Sequence, residues 1–126
     1  MLSLRLTVVS AILMFAIACG GYSSPPVSPS PTPTPGGPSS TVAIPLGAQS
    51  LGNKAFIPDE LNATVGSTVT WTNTDSVSHT STSDANVWNS GVVAPGGGFS
   101  FAFQTAGTFS YRCTIHPGMV GTVVVR

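Results

Sequence analysis

Gly107-Thr108-Phe109-Ser110-Tyr111-Arg112-Cys113-Thr114-Ile115-His116-Pro117-Gly118-Met119 is the stretch on which the fold turns. Phe109, Tyr111 and Cys113 alternate with Ser110, Arg112 and Thr114. A period of two marks a half-buried strand and sets the first three on its inward face. The strand runs out at Cys113, and the turn that follows carries a thiolate, an imidazole and a thioether at C-x2-H-x2-M spacing. Soft sulfur donors combined with imidazole favour copper, and two His with one Cys and a weak Met form the donor set of a mononuclear copper centre. The chain has only one other histidine, so the set closes as His79, Cys113, His116 and Met119.

Each of these residues has a blander reading. A methionine alone is commonly a core gap-filler. A lone buried cysteine behaves as an inert small hydrophobe, and a lone histidine sits at the surface or is satisfied in the core. Their coincidence within one short turn at the end of a strand favours copper. Structural zinc is disfavoured because a thioether is a poor zinc ligand.

The surroundings extend the strand pattern outward. Gly121-Thr122-Val123-Val124-Val125-Arg126 is rich in β-branched residues and reads as a closing strand. Upstream, Thr68-Val69-Thr70-Trp71-Thr72-Asn73 alternates so that Val69 and Trp71 face the core. A Thr/Asp/Ser-rich loop then delivers His79. After the turn Ala94-Pro95-Gly96-Gly97-Gly98 comes the alternating run Phe99-Ser100-Phe101-Ala102-Phe103. No stretch after residue 42 has a 3.6-residue apolar period, so the expected class is all-β, a sandwich or barrel.

Phe56-Ile57-Pro58, the run Val65-Gly66…Val69-x-Trp71-x-Asn73-x-Asp75…His79-Thr80, and Gly107 to Cys113 resemble the plastocyanin/amicyanin branch of the cupredoxins. The resemblance spans residues 42–126. It implies a Greek-key β-sandwich with one copper at one end, held by His79, Cys113, His116 and Met119, that shuttles single electrons through the Cu(II)/Cu(I) couple. Two residues separate His116 from Met119, a short loop similar to amicyanin and unlike the longer loop of plastocyanins. Thr80 stands where family members often carry Asn, so the hydrogen bonding around Cys113 is expected to differ.

The N-terminal part reads as an address and a tether. Residues 1–18 pair one positive charge at Arg5 with a short apolar run, which is too short to span a bilayer comfortably and fits a secretory signal peptide. Ala16-Ile17-Ala18 before Cys19 resembles a bacterial lipobox, with Ala16 in place of the usual Leu. Cys19 is therefore the expected lipidation site and membrane anchor, on the extracytoplasmic side (periplasm or cell surface). Residues 19–41 form a linker. Seven of the fourteen residues from Pro25 to Pro38 are proline, and such a segment cannot bury apolar surface. A Cys19–Cys113 disulfide is the rival use of the two cysteines.

Residues 42–126 leave one domain of about 85 residues, enough for a single modest core. After removal of the signal, Lys54, Arg112 and Arg126 stand against Asp59, Glu60, Asp75 and Asp84, with no basic patch for nucleic acid. With two histidines, neither a multicopper cluster nor a three-ligand zinc hydrolase site can be built beside the mononuclear set. The expectation is an electron carrier and not an enzyme. The alternative is a copper storage or delivery protein, but the predicted burial of Cys113 and the scarcity of Met disfavour it. A monomer is expected to meet protein redox partners through an apolar patch around His116, formed with Ile115, Pro117 and Gly118.

Overall fold

The computed structural model describes residues 39–126. The expected signal peptide, Cys19 and the proline-rich segment through residue 38 lie outside the described residues. Seven strands form: β1 (Ser39–Ile44), β2 (Glu60–Ala63), β3 (Thr68–Asn73), β4 (Thr82–Ser83), β5 (Gly98–Ala102), β6 (Gly107–Arg112) and β7 (Val120–Val125). One sheet has the order β1-β3-β5 and the other β2-β7-β6-β4. From β1 to β6 the chain alternates between the sheets, and only the β6–β7 hairpin stays within one. The result is the expected Greek-key β-sandwich. No helix among the described residues is long and apolar enough to cross a membrane.

Alternation in the sequence becomes burial in the structure. Val69 and Trp71 on β3, and Val123 and Val125 on β7, point inward. On the strand that leads to the site, Tyr111 and Cys113 are buried while Ser110 and Arg112 are exposed. The centre of the sandwich is aromatic. The Trp88 ring lies 5.4 Å from those of Trp71, Phe101 and Phe103, and Trp71 meets Tyr111 edge-on at 5.4 Å. Trp71, Trp88, Phe103 and Tyr111 are buried, and each contributes about 2–3 kcal/mol through removal of apolar surface from water, while Phe101 is only partly buried against them. Trp88 keeps its polar end satisfied by donating from Nε1 to Ser81 Oγ at 3.0 Å. Gly121 pairs with Tyr111 across β6–β7, and a Cβ at Gly121 would meet the Tyr111 ring at 2.5 Å. Only glycine fits beneath that ring.

Three differences from the sequence reading follow from backbone pairing. β1 begins at Ser39, so residues 39–41, assigned by sequence to the 19–41 linker, pair with Thr68, Val69 and Thr70. Pairing of this kind uses N–H and C=O groups and needs no apolar side chain. β2 and the two-residue β4 carry no alternation that would betray them. β5 starts one residue earlier than the phenylalanine run, because Gly98 also pairs with Thr72.

β1 and β3 run parallel, so the loops leaving Ile44 and Asn73 emerge at the same end. That end holds the site.

Candidate metal centre

Beyond β3 the chain is curled by a side chain. Asn73 is fully buried, and its Nδ2 donates to the carbonyls of Val77 at 2.8 Å and Val93 at 2.9 Å. Its Oδ1 accepts from the Asp75 amide at 2.9 Å. The curl ends at His79, whose backbone exchanges hydrogen bonds with Val93 at 3.1 and 2.8 Å. The His79 ring is fully buried and its Nε2 lies 2.8 Å from Asp75 Oδ2. The amide of Gly47, helped by His79, Ser76 and Ala48, holds the Asp75 carboxyl well below the usual carboxylate range, against the opposing effect of burial.

On the other side, β6 ends at Arg112 and delivers Cys113 at the start of the turn. Cys113 N donates to Met119 O at 3.0 Å, which closes the loop and returns the chain into β7. Gly118 has φ of 92°, a left-handed conformation that a side chain at this position would strain. Thr80 ties the two segments together. Its amide points at Cys113 Sγ at 3.4 Å, and its Oγ1 accepts from the Thr114 amide at 2.8 Å. The residue expected to alter the bonding around Cys113 thus bonds both to the sulfur and to the chain beside it.

The two sides converge on a point. His79 Nδ1 and His116 Nδ1 are 3.1 Å apart, and Cys113 Sγ lies 4.0 Å from the first and 3.8 Å from the second. Two imidazole lone pairs so close repel unless a cation or proton lies between them. Bonds of about 2.0 Å from each nitrogen and about 2.3 Å from the sulfur would span these separations. The donor set therefore fits a single soft metal ion. His79 and Cys113 are buried, and His116 is partly exposed. Met119, the fourth residue of the expected set, is fully buried and joins the site through its carbonyl bond to Cys113. The sequence reading marks Asp75 only as a framework position and a charge, not as a site residue, and it marks Thr80 without its tie to Thr114. The only signal for Asp75 is its place four residues before His79, and nothing local foretells the tie.

The chain is similar to known proteins. Residues 43–126 match the description "Copper binding proteins, plastocyanin/azurin family". The chain is 36% identical over 98 residues to plastocyanin from Scenedesmus fuscus, covering 68% of this chain and 99% of that one. It is 38% identical over 72 residues to amicyanin from Paracoccus denitrificans, covering 53% and 55% of the two chains. Among solved structures, the novel purple cupredoxin from Nitrosopumilus maritimus superposes with a TM-score of 0.64 at 36% identity, over 69% of this chain and 99% of that one. A sandwich that brings two imidazoles and a buried thiolate to one point, in a chain so related, has one reading: it belongs to the plastocyanin/azurin family of copper-binding proteins, which carry electrons on one copper and are not enzymes.

Proposed function

We propose that the protein is a mononuclear blue-copper electron carrier acting outside the cytoplasm, with His79, Cys113, His116 and Met119 as its copper ligands and Cys19 as its lipid anchor. The convergence of His79 Nδ1, Cys113 Sγ and His116 Nδ1 carries this reading. Copper held there supplies a one-electron Cu(II)/Cu(I) couple, with no substrate bond made or broken.

The residues around it divide the work. Cys113, 2% exposed, offers its thiolate from a dry position that excludes solvent and competing thiols. His79 fixes the interior side. Met119 is the weak axial donor that helps to set the potential. His116 is partly exposed in a loop whose neighbours Ile115, Pro117 and Gly118 are all exposed, so electrons leave along its ring edge to a protein partner docked on that apolar surface. Lys54 and Arg112 are taken up by Asp59 and Asp84. Association consequently responds only weakly to ionic strength.

Adding Cu(II) to the purified domain tests the site. An intense thiolate-to-copper band in the visible, lost in Cys113→Ser, is the expected result; a colourless protein that prefers zinc overturns it. Slow copper loss to a chelator with a reversible couple supports electron transfer, whereas fast loss supports storage or delivery. For the anchor, native protein partitions with membranes and Cys19→Ala releases it or blocks processing. A wholly soluble protein whose mature N-terminus is not Cys19 refutes lipidation.

A further inference from the structure

We propose that Asn62 is an N-glycosylation site: the exported protein carries an oligosaccharide on Asn62 Nδ2, at the end of the sandwich opposite the metal centre. The proposal rests on the export read from residues 1–18 and on nothing at the copper site.

Of the chain's five asparagines, only Asn62 opens an Asn-x-Ser/Thr triplet, Asn62-Ala63-Thr64. The hydroxyl two residues on is what a transferase grips to present the amide. Glu60, two residues before, supplies the acidic lead that bacterial-type transferases also take up. Strand alternation turns all three to solvent. Glu60 and Asn62 on β2, and Thr64 just beyond it, are exposed, while Ala63 is buried. Amide and hydroxyl therefore stand on one outward face.

The backbone there can yield. β2 is four residues long and lies at the edge of its sheet, paired only with β7. Directly after it the chain turns, with Ser67 N donating to Thr64 O at 3.0 Å and Gly66 at φ of 86°. A transferase has to bend its acceptor out of the strand, and a short edge strand running into a turn opens at low cost. Ser40, Asn62, Ala63, Thr64, Ser67 and Arg126 line a surface concavity of about 360 Å³, which gives the first sugar room and polar neighbours.

The position also keeps the sugar away from the redox face. Asn62 pairs with Val124, five residues past Met119 along the last strand. At about 3.3 Å per residue that is roughly 17 Å from the metal-binding turn. Ile115, His116 and Pro117 stay uncovered. The free edge of β2 is where another chain could add a strand, and a bulky hydrophilic group beside it blocks that approach.

The co-reactant is a lipid-diphosphate-linked oligosaccharide, brought by a membrane transferase outside the cytoplasm. Asn62 Nδ2 attacks the anomeric carbon and forms the C–N bond. The C–O bond to the diphosphate breaks, the diphosphate leaves with the electron pair, and Nδ2 gives one proton to a base of the transferase. Nothing is oxidised or reduced.

Mass spectrometry of the protein purified from its native host tests this. The peptide containing Asn62 should carry the added mass of an oligosaccharide. Asn62→Gln and Thr64→Ala, both at exposed positions, should each lose the whole increment, and Thr64→Ser should keep it. An added mass that survives Asn62→Gln belongs to other residues and overturns the proposal, as does a wild-type Asn62 peptide at its unmodified mass. The same spectra read the N-terminus. An unmodified Asn62 on a chain that has lost residues 1–18 defeats the modification alone, whereas on a chain still beginning at Met1 it defeats export as well.

Discussion

His79 and His116 present the same atom, Nδ1, to the same sulfur, yet the protein holds them in opposite ways. His79 is fully buried, braced by Asp75 at Nε2 and by two backbone bonds to Val93. His116 lies in a short, largely exposed turn, and among the described residues no side chain hydrogen-bonds its Nε2. A redox centre needs a rigid side so that little reorganises when charge changes, and a thin side through which a partner can approach. Here the sandwich supplies the first and the C-x2-H-x2-M turn the second.

The strongest way to break this comparison is to truncate each histidine in turn. His79→Ala empties a fully buried place and should lower the stability of the metal-free protein by about 2–4 kcal/mol. His116→Ala, at a partly exposed residue, should cost under about 1 kcal/mol. Both should abolish the visible band. Denaturant melts of the two metal-free variants check the contrast, and equal losses would erase it. Next in size is Gly121→Ala, which forces a methyl against the Tyr111 ring two residues before Cys113. Overpacking there should cost about 1–3 kcal/mol and lower the melting temperature.

Thr80→Val asks whether the two sides are joined. Losing the oxygen that accepts from Thr114 N should cost about 1 kcal/mol and shift the visible band, while Thr80→Ser restores both. Acid probes the braced side differently. The Asp75 carboxyl is held below its ordinary value, so it contributes stability that is fully present above the unfolded value of ~3.9 and is lost as pH falls through the lower folded value. The denaturation midpoint of the metal-free protein should therefore fall below about pH 4, and fall less steeply in Asp75→Asn. The smallest structural effect belongs to the thin side. Ile115→Lys, at a residue 47% exposed, should leave stability within about 0.5 kcal/mol. Electron transfer to a partner, followed by stopped flow, should nevertheless slow severalfold.

Much of this was legible from residues alone, for a definite reason. Cys113, His116 and Met119 lie within one turn, so their spacing is local and survives in the linear pattern. Alternation on Val69-x-Trp71 and Phe109-x-Tyr111-x-Cys113 reports burial directly, because side chains on a strand point to opposite faces in turn. His79 could be added by elimination, as the only other histidine. What tertiary structure alone decided are relations between segments far apart in sequence. The Thr80 amide reaches Cys113 Sγ across 33 residues, and Asp75 reaches Gly47 across 28. The pairing of Ser39–Thr41 with β3, and the short strands β2 and β4, are of the same kind. Such contacts depend on how two sheets stack and which loops meet at their shared end, and no local period encodes that. The set of candidate metal donors is therefore written in the sequence, whereas the placement of His79 Nδ1 toward Cys113 and His116, with the carboxylate behind the ring, emerges only when the sandwich closes.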